Sequence, residues 1–130
     1  MANTSNNLTG KTNAQVAAIY LTLFALTGPK LDAEVLATAL NVYATTSSLV
    51  GNAGTTYGFT VSATGLGARS YNVGSSGAAF GVANNTTLNV YQTLKRANQQ
   101  AVNGVLYNSN TTLRQLAIDV FDSINLAGGL

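Results

Sequence analysis

The side chains able to do chemistry near neutral pH are few, and they stand far apart. There is no histidine and no cysteine, and the only carboxylates are Asp32, Glu34, Asp119 and Asp122. Histidine is the usual proton shuttle in this pH range. Cysteine and histidine supply most transition-metal ligands and many activated nucleophiles. Asp119 and Asp122 lie three residues apart and share a helix face. Such a pair could hold a hard cation or work as glycosidase carboxylates. A cation site needs more oxygen ligands than cluster here, so solvated surface carboxylates are expected, with no metal and no cofactor.

Two short motifs touch on known chemistry without completing it. Gly10-Lys11-Thr12 matches the end of a phosphate-binding loop, but Ser5 stands where the first glycine belongs and the upstream segment is polar. A solvated helix entry accounts for it. Gly74-Ser75-Ser76-Gly77 approaches a nucleophile elbow, with Ala78 in place of the closing glycine. A serine triad needs a histidine, and nothing in the spacing supports a serine–lysine dyad with Lys11, Lys30 or Lys95. The chain is therefore expected to be no enzyme, with a carboxylate-dependent hydrolase as the weakest alternative.

Tyrosines offer a different chemistry, the stacking of rings. Tyr20, Tyr43 and Tyr91 fall on apolar sides of expected helices and are expected in the core, hydroxyl outward. Tyr57, Tyr71 and Tyr107 fall at element ends or on an expected hairpin, and are the candidate ligand-binding residues for a sugar. The sequons at Asn84, Asn85 and Asn110 coincide with expected helix caps, which explains asparagine there without a glycan.

Composition sets the frame for these residues. Hydrophobic residues make up 46% and charged residues 8%, against about 25% charged in ordinary soluble domains. Apolar content this high argues against disorder, which goes with low hydrophobicity and high charge. Thr, Asn and Ser replace the missing charge, leaving a surface with little repulsion between copies. Net charge is +2, and Lys95-Arg96 is the only adjacent basic pair, so no nucleic-acid partner is expected. No apolar run reaches the ~18 residues of a membrane span. Met1-Ala2-Asn3-Thr4 begins no signal peptide, which leaves a cytoplasmic chain or a piece of a larger secreted protein. The scarcity of Lys and Glu favours the second.

The elements that must position these groups read as α-α-β-β-α-α, an α+β domain with one core over residues 11–130 behind a polar tail at 1–10. Thr12 caps a first helix with Val16, Ile19, Tyr20, Leu23 and Phe24 at helical spacing, stopped by Thr27-Gly28-Pro29. A second helix spans Leu31 to Thr45, with Asp32 and Glu34 at its positive end, a stripe of Val35, Leu36, Ala39, Leu40 and Tyr43, and a loop at 51–54 behind it. Apolar and hydroxyl residues alternate over Phe59–Thr64 and again over Arg69–Val73, predicting a hairpin around Gly65-Leu66-Gly67. Ala78–Val82 is a candidate short third strand. Asn84 or Asn85 is expected to cap a third helix over Thr86–Asn103, with Leu88, Tyr91, Leu94, Asn98, Ala101 and Val105 along its buried line and Asn103-Gly104 at its end. Asn110 caps a fourth, with Leu113, Leu116, Ala117, Val120, Phe121 and Ile124 apolar, ended by Ala127-Gly128-Gly129.

Several runs carry a resemblance. Residues 13–18, 30–43, 57–61, 77–88, 101–108 and 119–125 together resemble a segment common near the C-terminus of large secreted bacterial proteins of planctomycete type. These proteins often carry Cna-B or SdrD-like β-sandwich repeats. The resemblance implies an extracellular or cell-surface, multidomain setting and no assigned activity. The upstream Gly- and Trp-containing segment of those proteins is absent here. The expected function is a non-catalytic structural or interaction module, with itself, cell-wall polymer or matrix polymer as partner. A carbohydrate-binding module is the alternative.

Overall fold

A computed structural model describes residues 3–28 and 30–128. The parts assigned above to Met1, Ala2, Pro29 and Gly129 lie outside the described residues. The fold is α+β, with most of its order in helices.

α1 (Asn13–Ala25) starts on a reciprocal capping box. The Gln15 amide donates to Thr12 Oγ1, and the Gln15 side chain accepts from the Thr12 amide. α2 (Leu31–Thr45) carries Asp32 and Glu34 in its first turn, as expected, and is followed by the single turn α3 (Ser47–Val50). A 3-10 turn over Ala53–Tyr57 overlaps the end of the loop expected at 51–54.

The expected hairpin is not formed. Over 59–64 only Ser62 joins a ladder, as a lone bridge to Thr46. Gly65 (φ +60) passes so close to Thr46 that a side chain there would collide with it, and Leu66 beyond it is 1% exposed. The glycine serves a close backbone approach that drives Leu66 into the core. β1 (Ser70–Asn72) pairs instead with β2 (Thr87–Asn89), antiparallel, Tyr71 opposite Leu88. Between them Gly74–Phe80 coils as a 3-10 helix, where a short third strand was a candidate. A Cβ on Gly77 would lie 2.6 Å from Ala83 backbone atoms, so the segment closes on a loop that only glycine fits.

α4 (Val90–Gln99) begins later and ends earlier than the expected third helix. Its cap is Asn89, in a second capping box with Gln92, and neither Asn84 nor Asn85 caps it. The helix turns Val90, Thr93, Leu94 and Ala97 to the core, and Tyr91 is exposed. β3 (Ala101–Val102) and β4 (Val105–Leu106) form a tight antiparallel hairpin. Asn103 (φ 51) and Gly104 (φ 81) are its turn, not a helix end. Two positive φ values in sequence are the signature of a turn that matches strand twist. α5 (Thr111–Leu126) is capped by Asn110 and buries Ala117, Val120, Phe121 and Ile124, as the spacing predicts.

The core lies between α2, α4, α5 and the 3-10 segment at 74–80. Phe80 meets Phe121 edge to face at 5.9 Å. One polar tie crosses it from α5 to α2. Asn125 Nδ2 donates to the Glu34 carboxylate at 2.7 Å and to the Glu34 carbonyl at 3.0 Å, while Thr38 Oγ1 donates to Asn125 Oδ1 at 2.8 Å. Both N–H groups of that amide and one lone pair of its oxygen are used, which makes the tie a register pin between the helices. Residues 3–5 are docked against the body of the domain. The Ser5 amide donates to the Gly104 carbonyl at 3.0 Å, Asn3 donates twice to Asn98, to its side-chain oxygen and to its carbonyl, and Thr4 is buried. No helix among the described residues is long and apolar enough to cross a membrane.

Candidate interaction surface

α1 departs from the rule for surface helices. Such a helix normally turns one apolar stripe inward and polar residues outward. From Asn13 to Leu26 there is no charged residue, and the polar ones are Asn13, Gln15 and Thr22. Val16, Ile19, Tyr20 and Leu23 turn toward the body and are half-buried. On the outward side stand Ala14, Ala17, Ala18, Leu21, Phe24 and Ala25, all exposed, with Leu21 at 66% and Phe24 at 54%. No residue of α1 is buried.

Local geometry holds this helix in place while leaving its face bare. The capping box fixes its start. At its end Lys30 Nζ donates to the Phe24 carbonyl at 2.6 Å and sits 4.3 Å over the Phe24 ring. That arrangement joins a helix C-terminal cation to a cation–π contact. Tyr20 stacks on Phe24 with centroids 6.0 Å apart. Clefts flank the helix. One, of about 370 Å³, lies against α2 between Val16, Leu8, Leu40 and Tyr43. The other, of about 230 Å³, lies beside Asn6 and is lined by Ile19 and Leu23. Tyr43 is 56% exposed, so the apolar surface continues from α1 onto α2.

The tyrosines singled out from sequence are not gathered into one site. Tyr57 ends a 3-10 turn and is 81% exposed. Tyr71 is half-buried in β1, beside a cleft of about 150 Å³ shared with Leu66, Arg69 and Val90. Tyr107 is 4% exposed, so its ring has no face for a sugar. It opens a left-handed turn in which Tyr107, Asn108 and Ser109 all have φ between 47 and 62. Its hydroxyl has no hydrogen-bond partner. Burial pushes the phenol well above its ordinary range, against the opposing pull of the Arg114 guanidinium. Arg114 itself donates to the Leu106 carbonyl at 2.9 Å and pairs with Asp32 at 3.7 Å, binding this corner to α2.

The remaining candidates stand apart as well. Asp119 and Asp122 are exposed on α5, and Asp119 accepts from Gln115 at 2.9 Å. Among the described residues no three acidic side chains converge. Ser75 and Ser76 lie inside a 3-10 helix, not on a strand-to-helix elbow. Sequence reasoning placed Tyr43 and Tyr91 in the core, yet both are more than half exposed. It also placed α1 in the core. The signal that α1 is different was present, because its apolar residues form two stripes and one core can cover only one. No protein-family model, curated protein or solved structure matches this chain.

Proposed function

We propose that this domain is a non-catalytic interaction module of a secreted bacterial surface or matrix protein, working by neutral surface contact, self-association included. The observation that carries the reading is the outward face of α1. A helix held by two end devices, uncharged along its length and bare of cover, is built to meet another surface. A second support is the scarcity of charge, which removes the repulsion that keeps ordinary domains apart. The secreted setting rests on the resemblance of residues 13–18, 30–43 and 77–88 to segments of such proteins.

Purified domain examined by light scattering and electron microscopy, and by co-sedimentation with cell-wall and matrix polymer, tests this. Association with copies or with either polymer is expected. A strictly monomeric protein that binds neither polymer overturns the reading. The exposure of Tyr57 favours carbohydrate binding as a second reading. A reproducible glycan-array signal lost on Tyr57→Ala or Tyr71→Ala would promote it over the first.

A further inference from the structure

We propose that residues 3–28 form a hinged arm, and that residues 3–5 are the latch that closes it. Thr4, 7% exposed, is the only buried residue in that stretch. Asn6, Leu8, Val16, Ile19, Tyr20 and Leu23 are half-buried, and every other residue from 3 to 28 is exposed. The arm is thus anchored deepest at the tip, the end farthest from its junction with α2. That junction is sharp. Gly28 (φ +80) precedes it, and Leu31, the first residue of α2, is 0% exposed.

The tip docks on a part of the chain remote in sequence. Thr4 bridges Gly104 in parallel, the Ser5 amide donates to the Gly104 carbonyl at 3.0 Å, and Asn3 donates to the Asn98 side chain and carbonyl at 2.9 and 3.2 Å. Gly104 serves two ends at once. Its φ of +81 completes the β3–β4 turn, and its missing side chain admits the strap, because a Cβ there would lie 3.3 Å from the Ser5 nitrogen.

The rest of the arm has little hold of its own. α1 has 13 residues, a length at which a helix is marginal in water without support. Half-burial of its inward side chains stabilises it by less than a covered stripe would. The bond from Lys30 to Phe24 at its far end is exposed. Latch and helix therefore depend on each other. Freeing the tip removes the one buried anchor, and freeing α1 from α2 costs the helix itself. When the arm opens, the cleft between Leu8 and Val16 on one side and Leu40 and Tyr43 on the other comes apart, and α2 gains an apolar face. The latch so decides whether α1 is presented as a docked helix at all.

Amide hydrogen exchange on the full chain tests this. In the unaltered protein, protection at the Ser5 amide and at the slowest amides of 16–25 is expected to agree within about threefold, and to fall at least about tenfold below that of α5. Thr4→Asp puts a charge into a buried position. Gly104→Asn keeps a residue type that tolerates the left-handed turn and crowds the Ser5 nitrogen from the other side. Each is expected to speed exchange at Ser5 and across 16–25 by about tenfold, with α5 within about twofold of its original rate. Thr9→Asp, at an exposed position of the same segment, adds the same charge and is expected to change neither. Faster exchange at Ser5 with 16–25 unmoved overturns the proposal, because α1 then stands without the latch. So does a Ser5 amide that stays protected in both variants, an equal rise in α5, or an equal effect of Thr9→Asp.

Discussion

α1 and α5 are both long apolar helices opened by a side-chain cap, and they end in opposite circumstances. α5 buries Ala117, Val120, Phe121 and Ile124, and turns Gln115, Asp119, Asp122 and Ser123 to solvent. It is complete within one copy. α1 has apolar residues on both sides, and none of them is buried. The difference lies in arrangement, not in apolar content. A single inward stripe can be satisfied by one core, whereas two opposed stripes leave one without cover unless something arrives from outside. Burial also brings a polar obligation. α5 meets it through Asn125 on Glu34 and Thr38, while α1, with no buried residue, rests on α2 by side-chain contact and its two end devices.

The contrast can be broken most directly by truncating one aromatic on each helix. Phe121→Ala is expected to destabilise the fold by about 3–5 kcal/mol, the cost of a cavity under a fully buried ring. Phe24→Ala, measured as dilute monomer, should cost under ~1 kcal/mol, because half the ring is already wet. Chemical denaturation of both reports the answer. Equal losses would mean that α1 is as much a part of the core as α5.

A smaller effect is expected at the polar tie. Asn125→Ala removes both partners of the Glu34 and Thr38 groups and should cost about 1–3 kcal/mol. The loss is read as a lower unfolding midpoint at unchanged denaturant slope.

Caps sharpen the comparison further. Asn89→Ala, at the head of the buried α4, should lower global stability by about 1 kcal/mol. Thr12→Ala removes an equivalent cap from α1, yet it should speed amide exchange within 13–25 and leave the global midpoint nearly unmoved. A helix outside the core opens locally. A global shift from Thr12→Ala as large as that from Asn89→Ala would contradict this.

The smallest effect belongs to the corner that precedes α5. Tyr107 is held neutral by burial, so its pKa is raised in the folded state. Its contribution is full below the unfolded value of about 10. As pH climbs past that value the unfolded chain gives up the proton and the folded chain keeps it, so stability falls. Tyr107→Phe should flatten that alkaline loss. It should change stability at pH 7 by no more than about 1 kcal/mol, because the hydroxyl it removes has no partner. Thermal melts from pH 7 to 11 show both.

Much of the helical frame was legible, because its signals are local. The Thr12 and Asn110 caps, the bounds of α2 and the buried stripe of α5 each follow from residues within one or two turns of chain. The sheets were not. β1 chose β2 over the nearer segment at 59–64, and two or three residues of alternation in Thr87-Leu88-Asn89 are too few to stand out from the helical pattern that follows. The capping box at Asn89 and Gln92 was visible, but Asn84 and Asn85 offered the same side chain closer to the preceding turn. The candidate tyrosines scattered because exposure of a ring depends on which face its helix or turn presents. Tyr91 came out and Tyr107 went in for reasons that spacing cannot weigh.

By itself the sequence determined what chemistry was ruled in or out and where the chain could coil: the absence of histidine and cysteine, the sparse charge, and local periods with their caps. Those are properties of residue types and of neighbours along the chain. Only the tertiary structure decided which of two apolar stripes on α1 would be covered, and which short segments would pair. The competitors for burial lie far apart in sequence, and the outcome depends on how much core there is to share.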